Sequence, residues 1–207
     1  MNKNDTFLRQ KKKAFTLVEV VIVLAITVIV LAIMYEFLTE SKKAMVSNEV
    51  NSTLQDEAED IQMELIKFGT PCNKILKIDN SDVNDTWTYA TKLDATSKVY
   101  NGATESIKLE YCEDYGSVET FEIKYNSINK TLTVIEPSGS SKVLSTHVAD
   151  FKIKPLDAAS NPSGDFSKSI GLQFVVQLKM KKGYSDVTCP VNVNVKFRNK
   201  GVATETL

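Results

Sequence analysis

Glu19 is the side chain whose setting demands chemistry. It is the one charged residue in the 21-residue run from Phe15 to Tyr35, FTLVEVVIVLAITVIVLAIMY. A carboxylate in such surroundings costs on the order of 3 kcal/mol to hold in a bilayer, so it calls for a partner. No lysine or arginine lies in the run. Ile22, Val23 and Ile26, further along the same helical face, are apolar, and Phe15 and Thr16, one turn back, have no cationic side chain. The chemistry on offer is therefore charge pairing with a group from outside the run. Three lysines, Lys11, Lys12 and Lys13, precede it, separated from Phe15 only by Ala14.

The other candidate groups form no catalytic pattern. His147 is the single histidine, and no G-x-S-x-G, P-loop or H-E-x-x-H signature is present. Glu113-Asp114 is an acidic pair of the kind turns carry. Cys72, Cys112 and Cys189 with His147 have the composition of a Cys₃His zinc site, but no C-x₂-C spacing supports one. Asp79–Asp85 holds several oxygen ligands without the glycine and closing Glu of a calcium loop, and reads as a solvated turn. The reading is of a chain without catalytic residues, metal site or cofactor. The three cysteines leave two arrangements open: a Cys72–Cys112 disulfide, or all three reduced. Cys189 is in phase with Val191, Val193 and Val195 and is placed facing inward as a buried thiol.

The elements that position these groups follow from periodicity. About 20 apolar residues cross a bilayer as a helix, so 15–35 is read as a membrane span. From Phe15 to Phe68 there is neither Pro nor Gly, so one long helix is expected, stopped by Gly69 and Pro71. Beyond the span, Val50, Leu54, Ala58, Ile61, Leu65 and Phe68 recur at steps of four and three and form an apolar stripe. Glu57 and Glu64 fall among the polar positions between them. From Ser106 onward the period becomes two. Ile107–Tyr111, Phe121–Tyr125, Leu132–Val134, Val148–Ile153, Leu172–Met180 and Cys189–Phe197 alternate apolar with polar residues, as antiparallel strands do. Ser127–Lys130 and Lys182-Gly183-Tyr184 read as hairpin turns, and Asp157–Ser169 as a loop. A short strand is expected near Trp87-Thr88-Tyr89. The fold class is α+β, a long helix packed on an antiparallel sheet domain.

Charge sets the orientation. The chain of 207 residues has 25 basic and 26 acidic side chains. Met1–Ala14 carries five of the basic ones against Asp5 alone. Such a flank stays on the cytoplasmic side while the rest is translocated. The remainder is net acidic, which argues against binding a phosphate backbone, so no nucleic acid is expected as a partner. Lys179, Lys181 and Lys182 read as a solvated turn. A secretory signal would be cut after the apolar run, and no small-residue site follows Leu31-Ala32-Ile33-Met34.

Lys11-Lys12-Lys13-Ala14 followed by Phe15-Thr16-Leu17-Val18-Glu19 resembles the processing site of the type IV pilin family, which includes the pseudopilins. The resemblance is strong over residues 9–40. It implies a pilin fold and cleavage by prepilin peptidase between Ala14 and Phe15, with Lys11–Lys13 recognised as the leader. N-methylation of Phe15 follows. Most members carry Gly before the cut, where this chain has Ala14. Residues 1–14 are then the leader, 15–35 the transmembrane and assembly helix, 36–68 its amphipathic continuation and 69–207 the β-rich domain. On this resemblance Glu19 pairs with the new amine of a neighbouring subunit; the residues leave open the amine of its own Phe15, a turn away. The stretch from Tyr125 through His147–Phe151 to Phe197-Arg198-Asn199 looks like the J-type pseudopilins and W-type minor pilins, whose domains can contain two sheets. The implied role is a minor pilin or pseudopilin at or near a filament tip. Its partners are other pilin subunits, the peptidase, the cytoplasmic membrane and an assembly platform. Its location is that membrane first and a cell-surface filament later. A major pilin, or a membrane-anchored module for adhesion or DNA capture, are the alternatives.

Overall fold

The computed structural model describes residues 16–79, 81–83, 104–111, 119–161, 166 and 168–198. Among them are one helix, α1 (Leu17–Gly69), and nine strands: β1 (Cys72–Ile78), β2 (Ser81–Asp82), β3 (Ser106–Tyr111), β4 (Glu119–Asn126), β5 (Thr131–Ile135), β6 (Ser141–Ser145), β7 (Val148–Leu156), β8 (Gly171–Lys182) and β9 (Ser185–Lys196). The expected α+β layout is present, an N-terminal helix followed by antiparallel strands.

The chain divides into two compact units between Met45 and Val46. In the first, every described side chain from Thr16 to Leu38 is exposed. Apolar residues on all sides of a helix have no core to enter, which is the pattern of a membrane span. Thr27 adds no unsatisfied hydroxyl to it, because its Oγ1 donates to the Val23 carbonyl at 2.7 Å.

In the second unit the apolar stripe is the buried face of the helix: Val50, Leu54, Ala58, Ile61, Leu65 and Phe68 are all buried. The strands form two sheets. The first has the order β2-β1-β3-β4-β5-β6 and the second β7-β8-β9, every pairing antiparallel. Ile107, Leu109, Phe121, Ile123, Leu132 and Val134 from the first sheet join Phe151, Ile153, Phe174, Val176, Val191 and Val193 from the second in one core with the helix stripe. Phe68 stacks on Phe121 at 5.2 Å between ring centroids. Gly69 lets the helix end approach β9, since a Cβ there would lie 2.8 Å from Val195 Cγ1.

Three strands escaped the pattern reading, among them β2, only two residues long and inside the Asp79–Asp85 stretch read as a solvated turn. β1 shows burial at Cys72, Ile75 and Ile78, a step of three. Register shifts between Cys72 and Lys74 and between Ile75 and Lys77 produce it. Each bulge inserts a residue and breaks the period-two signature. β6 has only Leu144 and Ser145 buried, so it carries too little alternation to read. Asp79, at φ 48°, accepts from the Glu105 and Ser106 amides and closes the turn after β1. Trp87–Tyr89 lie outside the described residues. The two hairpin turns stand where they were expected. Asn126 Oδ1 accepts from Ile128 N and Asn129 N, each at 3.0 Å. Gly183, at φ 58°, occupies the first central position of a two-residue turn, where glycine suits the type II′ form.

The pair flanking that turn is Lys182–Ser185. In a two-residue hairpin this pair exchanges hydrogen bonds, and the alternation puts Gln177–Pro190 in the non-hydrogen-bonded class. The nitrogen of Pro190 thus faces away from β8. Among the described residues β9 pairs with β8 alone.

Candidate functional site

Lys11–Lys13, Ala14 and Phe15 lie outside the described residues, so the site begins at Thr16. Glu19 Oε2 accepts two hydrogen bonds from Thr16, from its amide at 2.9 Å and its hydroxyl at 3.0 Å. Thr16 Oγ1 in turn accepts from the Glu19 amide at 3.3 Å. This is a capping box: Thr and Glu three apart satisfy backbone donors that the helix start leaves open. The sequence reading sought a cation for Glu19 and overlooked this uncharged partner in its own span. The signal was there, in the T-x-x-E of Thr16–Glu19. The box engages Oε2; a cation would approach Oε1.

A second group of carboxylates lies along the helix in the β-rich unit. Glu49 Oε1 meets Lys182 Nζ at 2.7 Å. Glu57 holds Ser145 Oγ at 2.6 Å through Oε2 and His147 Nδ1 at 2.8 Å through Oε1. Glu64 Oε1 meets Lys142 Nζ at 2.6 Å, with Lys67 Nζ 3.8 Å from Oε2. These acids are eight and seven residues apart, about two helical turns each, and lie on one flank of the apolar stripe. They tie the helix to the β8–β9 tip, to the β6–β7 junction and to β6.

Their weights differ. Glu49 and Lys182 are both more than half exposed, and such pairs contribute about 0–1 kcal/mol. The Glu64 side chain is only 8 % exposed, so a carboxylate there needs a close partner. The Lys142 ammonium is held above its usual range, first by its hydrogen bond to Glu64, then by the surrounding charges of Glu64, Asp60 and Glu136. In the sequence Glu57 and Glu64 stand only among the polar positions between the stripe residues, with no role assigned. The repeat of Glu beside the apolar stripe was the available signal.

Ser145, His147 and Glu57 include the residue types of a nucleophilic triad, but the connections differ. Ser145 Oγ donates its hydrogen bond to Glu57 directly, and its oxygen accepts the His147 backbone amide at 3.0 Å. The Ser145 side chain is buried. A nucleophile needs its hydroxyl on the imidazole and open to substrate; this trio instead joins the helix to the junction of the two sheets.

Cys72 is a buried free thiol. Its Sγ donates to the Phe68 carbonyl at 3.0 Å, and burial pushes its pKa up to about 12. Cys112 lies outside the described residues. Cys189 is also free. It keeps the inward phase, but its burial is partial, because the full burial along β9 begins at Val191. Near the chain reversal at the start of β7, Tyr125 Oη donates to the Ala149 carbonyl at 3.1 Å. Burial, then the charge of Asp150, raises its pKa. No group of three or more His, Cys, Asp or Glu side chains among the described residues is placed to hold a metal ion.

Residues 9–35 match the family model described as the prokaryotic N-terminal methylation motif. That motif is the type IV pilin signature and supports a type IV pilin-like subunit, a structural class of protein that assembles with other pilins and is processed by prepilin peptidase. The apolar helical run within it fits membrane anchoring. No curated protein and no solved structure matched the chain.

Proposed function

We propose that the chain is a minor pilin or pseudopilin, matured by cleavage between Ala14 and Phe15 and placed at or near the tip of a type IV pilus-like filament. The observation that carries this reading is the methylation motif at residues 9–35, set on a helix whose apolar side chains are all exposed from Leu17 to Leu38. Such a surface needs either lipid or other helices around it. The bilayer holds the subunit first, and a bundle of like helices replaces the lipid on assembly. Removal of the basic leader, with Lys11–Lys13, creates an amine at Phe15. Glu19 of a neighbouring subunit receives that amine, and an unmatched charge disfavours other alignments. The two-sheet domain supports the minor class, since the J-type and W-type subunits that the sequence resembles can contain two sheets.

N-terminal mass spectrometry of membrane and sheared-filament fractions tests the reading, with the subunit counted against the most abundant pilin. A methylated Phe15 terminus at a small fraction of the major subunit is expected. An intact Met1 in filaments would overturn processing, and equal abundance would make the chain a major pilin.

A further inference from the structure

The two most exposed large apolar side chains of the described residues are Tyr184, 92 % exposed, and Ile128, 89 % exposed. Neither is on the apolar helix. Each sits at a hairpin tip, and the tips share one end of the β-rich unit. Strand β7 begins at Val148, opposite Leu178, so β8 and β9 continue past it as a two-stranded arm to Lys182 and Ser185. That arm ends against the helix at Glu49, through the 2.7 Å contact from Lys182. The β4–β5 turn stands beside the start of β7, where the Lys130 carbonyl accepts from the Val148 amide at 2.9 Å. The helix ion pairs fix the direction: Lys142 on β6 is level with Glu64, Ser145 with Glu57, and the β8–β9 tip with Glu49. Both tips therefore point toward the N-terminal end of this unit's helix, from which the chain leads back to the apolar run.

We propose that these tips form a contact for an anionic bilayer surface, the membrane in which the chain's own helix is anchored. The inference rests on the membrane reading above. Tyr184 presents an apolar ring with a polar end, the combination enriched at membrane–water interfaces. Ile128 supplies a second apolar point. Lys130 and Lys181 are exposed beside them and supply charge toward acidic headgroups, while Lys182 is occupied by Glu49. Two separated points with basic neighbours suit a soft, charged surface better than a shaped protein pocket, which would call for one contiguous patch. Glu49 is 14 residues from Tyr35, at most about 21 Å of chain if helical, so the β-rich unit is tethered within reach of the headgroups. Extraction into a filament breaks the contact.

The test uses the full chain in nanodiscs of phosphatidylcholine with or without phosphatidylglycerol. Benzoylphenylalanine replaces Tyr184 in one sample and Leu24 in another, and adducts are identified by mass after illumination. The Leu24 probe reports insertion alone. With insertion established, the Tyr184 probe should give phosphatidylglycerol adducts, reduced severalfold by Ile128→Ser with Lys181→Glu, and severalfold lower overall in discs of phosphatidylcholine alone. Adducts to a second copy of the chain, no adduct, or equal yields in the two lipids would each overturn the proposal. Absence of lipid adducts at Leu24 would overturn the membrane reading itself.

Discussion

Removing Lys142 should cost the domain more than removing the acid it neutralises. The Glu64 side chain is 8 % exposed and that of Lys142 46 %. Lys142→Met leaves the Glu64 carboxylate in place with Lys67 at 3.8 Å, and Glu64 Oε2 already lacks a hydrogen bond. Breaking a fully buried ion pair costs about 3–5 kcal/mol. Lys67 and the water that reaches the Lys142 side reduce this, and an unsatisfied buried acceptor costs about 1–3 kcal/mol. About 2 kcal/mol is the expected loss. Glu64→Met instead frees a half-exposed lysine, which rehydrates, and puts an apolar group beside the core; the expected change is within about 1 kcal/mol of zero. The double variant should resemble Glu64→Met. Urea unfolding of the full chain in mild detergent, followed by near-ultraviolet circular dichroism, measures all four proteins. If Glu64→Met cost as much as Lys142→Met, the premise that Glu64 is a buried charge needing its partner would be refuted.

Glu19→Gln should still be inserted and cut after Ala14, yet be depleted from sheared filaments relative to membranes; equal incorporation would remove Glu19 from assembly. Cys72 should resist iodoacetamide at pH 8 in the folded protein and react on unfolding, because its pKa of about 12 leaves almost no thiolate, whereas Cys189 should react sooner. The same shift disfavours the thiolate in the folded state. Its contribution is intact below pH 9 and falls by about 1.4 kcal/mol per pH unit between pH 9 and about 12; a Cys72→Ala variant should lack that slope in urea titrations. Gly171→Ala should destabilise by about 1–3 kcal/mol or more, since its Cβ would run into the Val195 carbonyl and lie 3.0 Å from Lys196 Cα, both backbone. A melting temperature equal to wild type would contradict that close approach.

Periodicity revealed most of the architecture. The stripe from Val50 to Phe68 and the alternation in β8 and β9 are dictated by burial on one side, and burial on one side is what periodicity records. Where another force chose the residue, the pattern was silent. Bulges set β1, and only Leu144 and Ser145 anchor β6. Glu57 and Glu64 occupy buried or half-buried positions because specific partners, His147, Ser145 and Lys142, come from 78 or more residues away. A local reading sees only that they are polar. At Glu19 the partner is local, Thr16 three residues away, and uncharged, so the absence of a cation in the run does not leave the carboxylate without hydrogen bonds. The methylation motif was legible because it is contiguous and local.

Pro190 has a consequence for life at high local concentration. On the proposed reading, subunits stored side by side in one membrane and then crowded in one filament would bring the edge of β9, which among the described residues pairs with β8 alone, close to identical edges. In a strand of twelve residues, the outward-facing donors and acceptors of every second residue would template strand-to-strand fusion between copies. Pro190, with its nitrogen on that edge, deletes a donor at mid-strand and interrupts any ladder that two copies could build. On the same reading, association would be left to the helices and kept from a β-type adhesion that would not reverse.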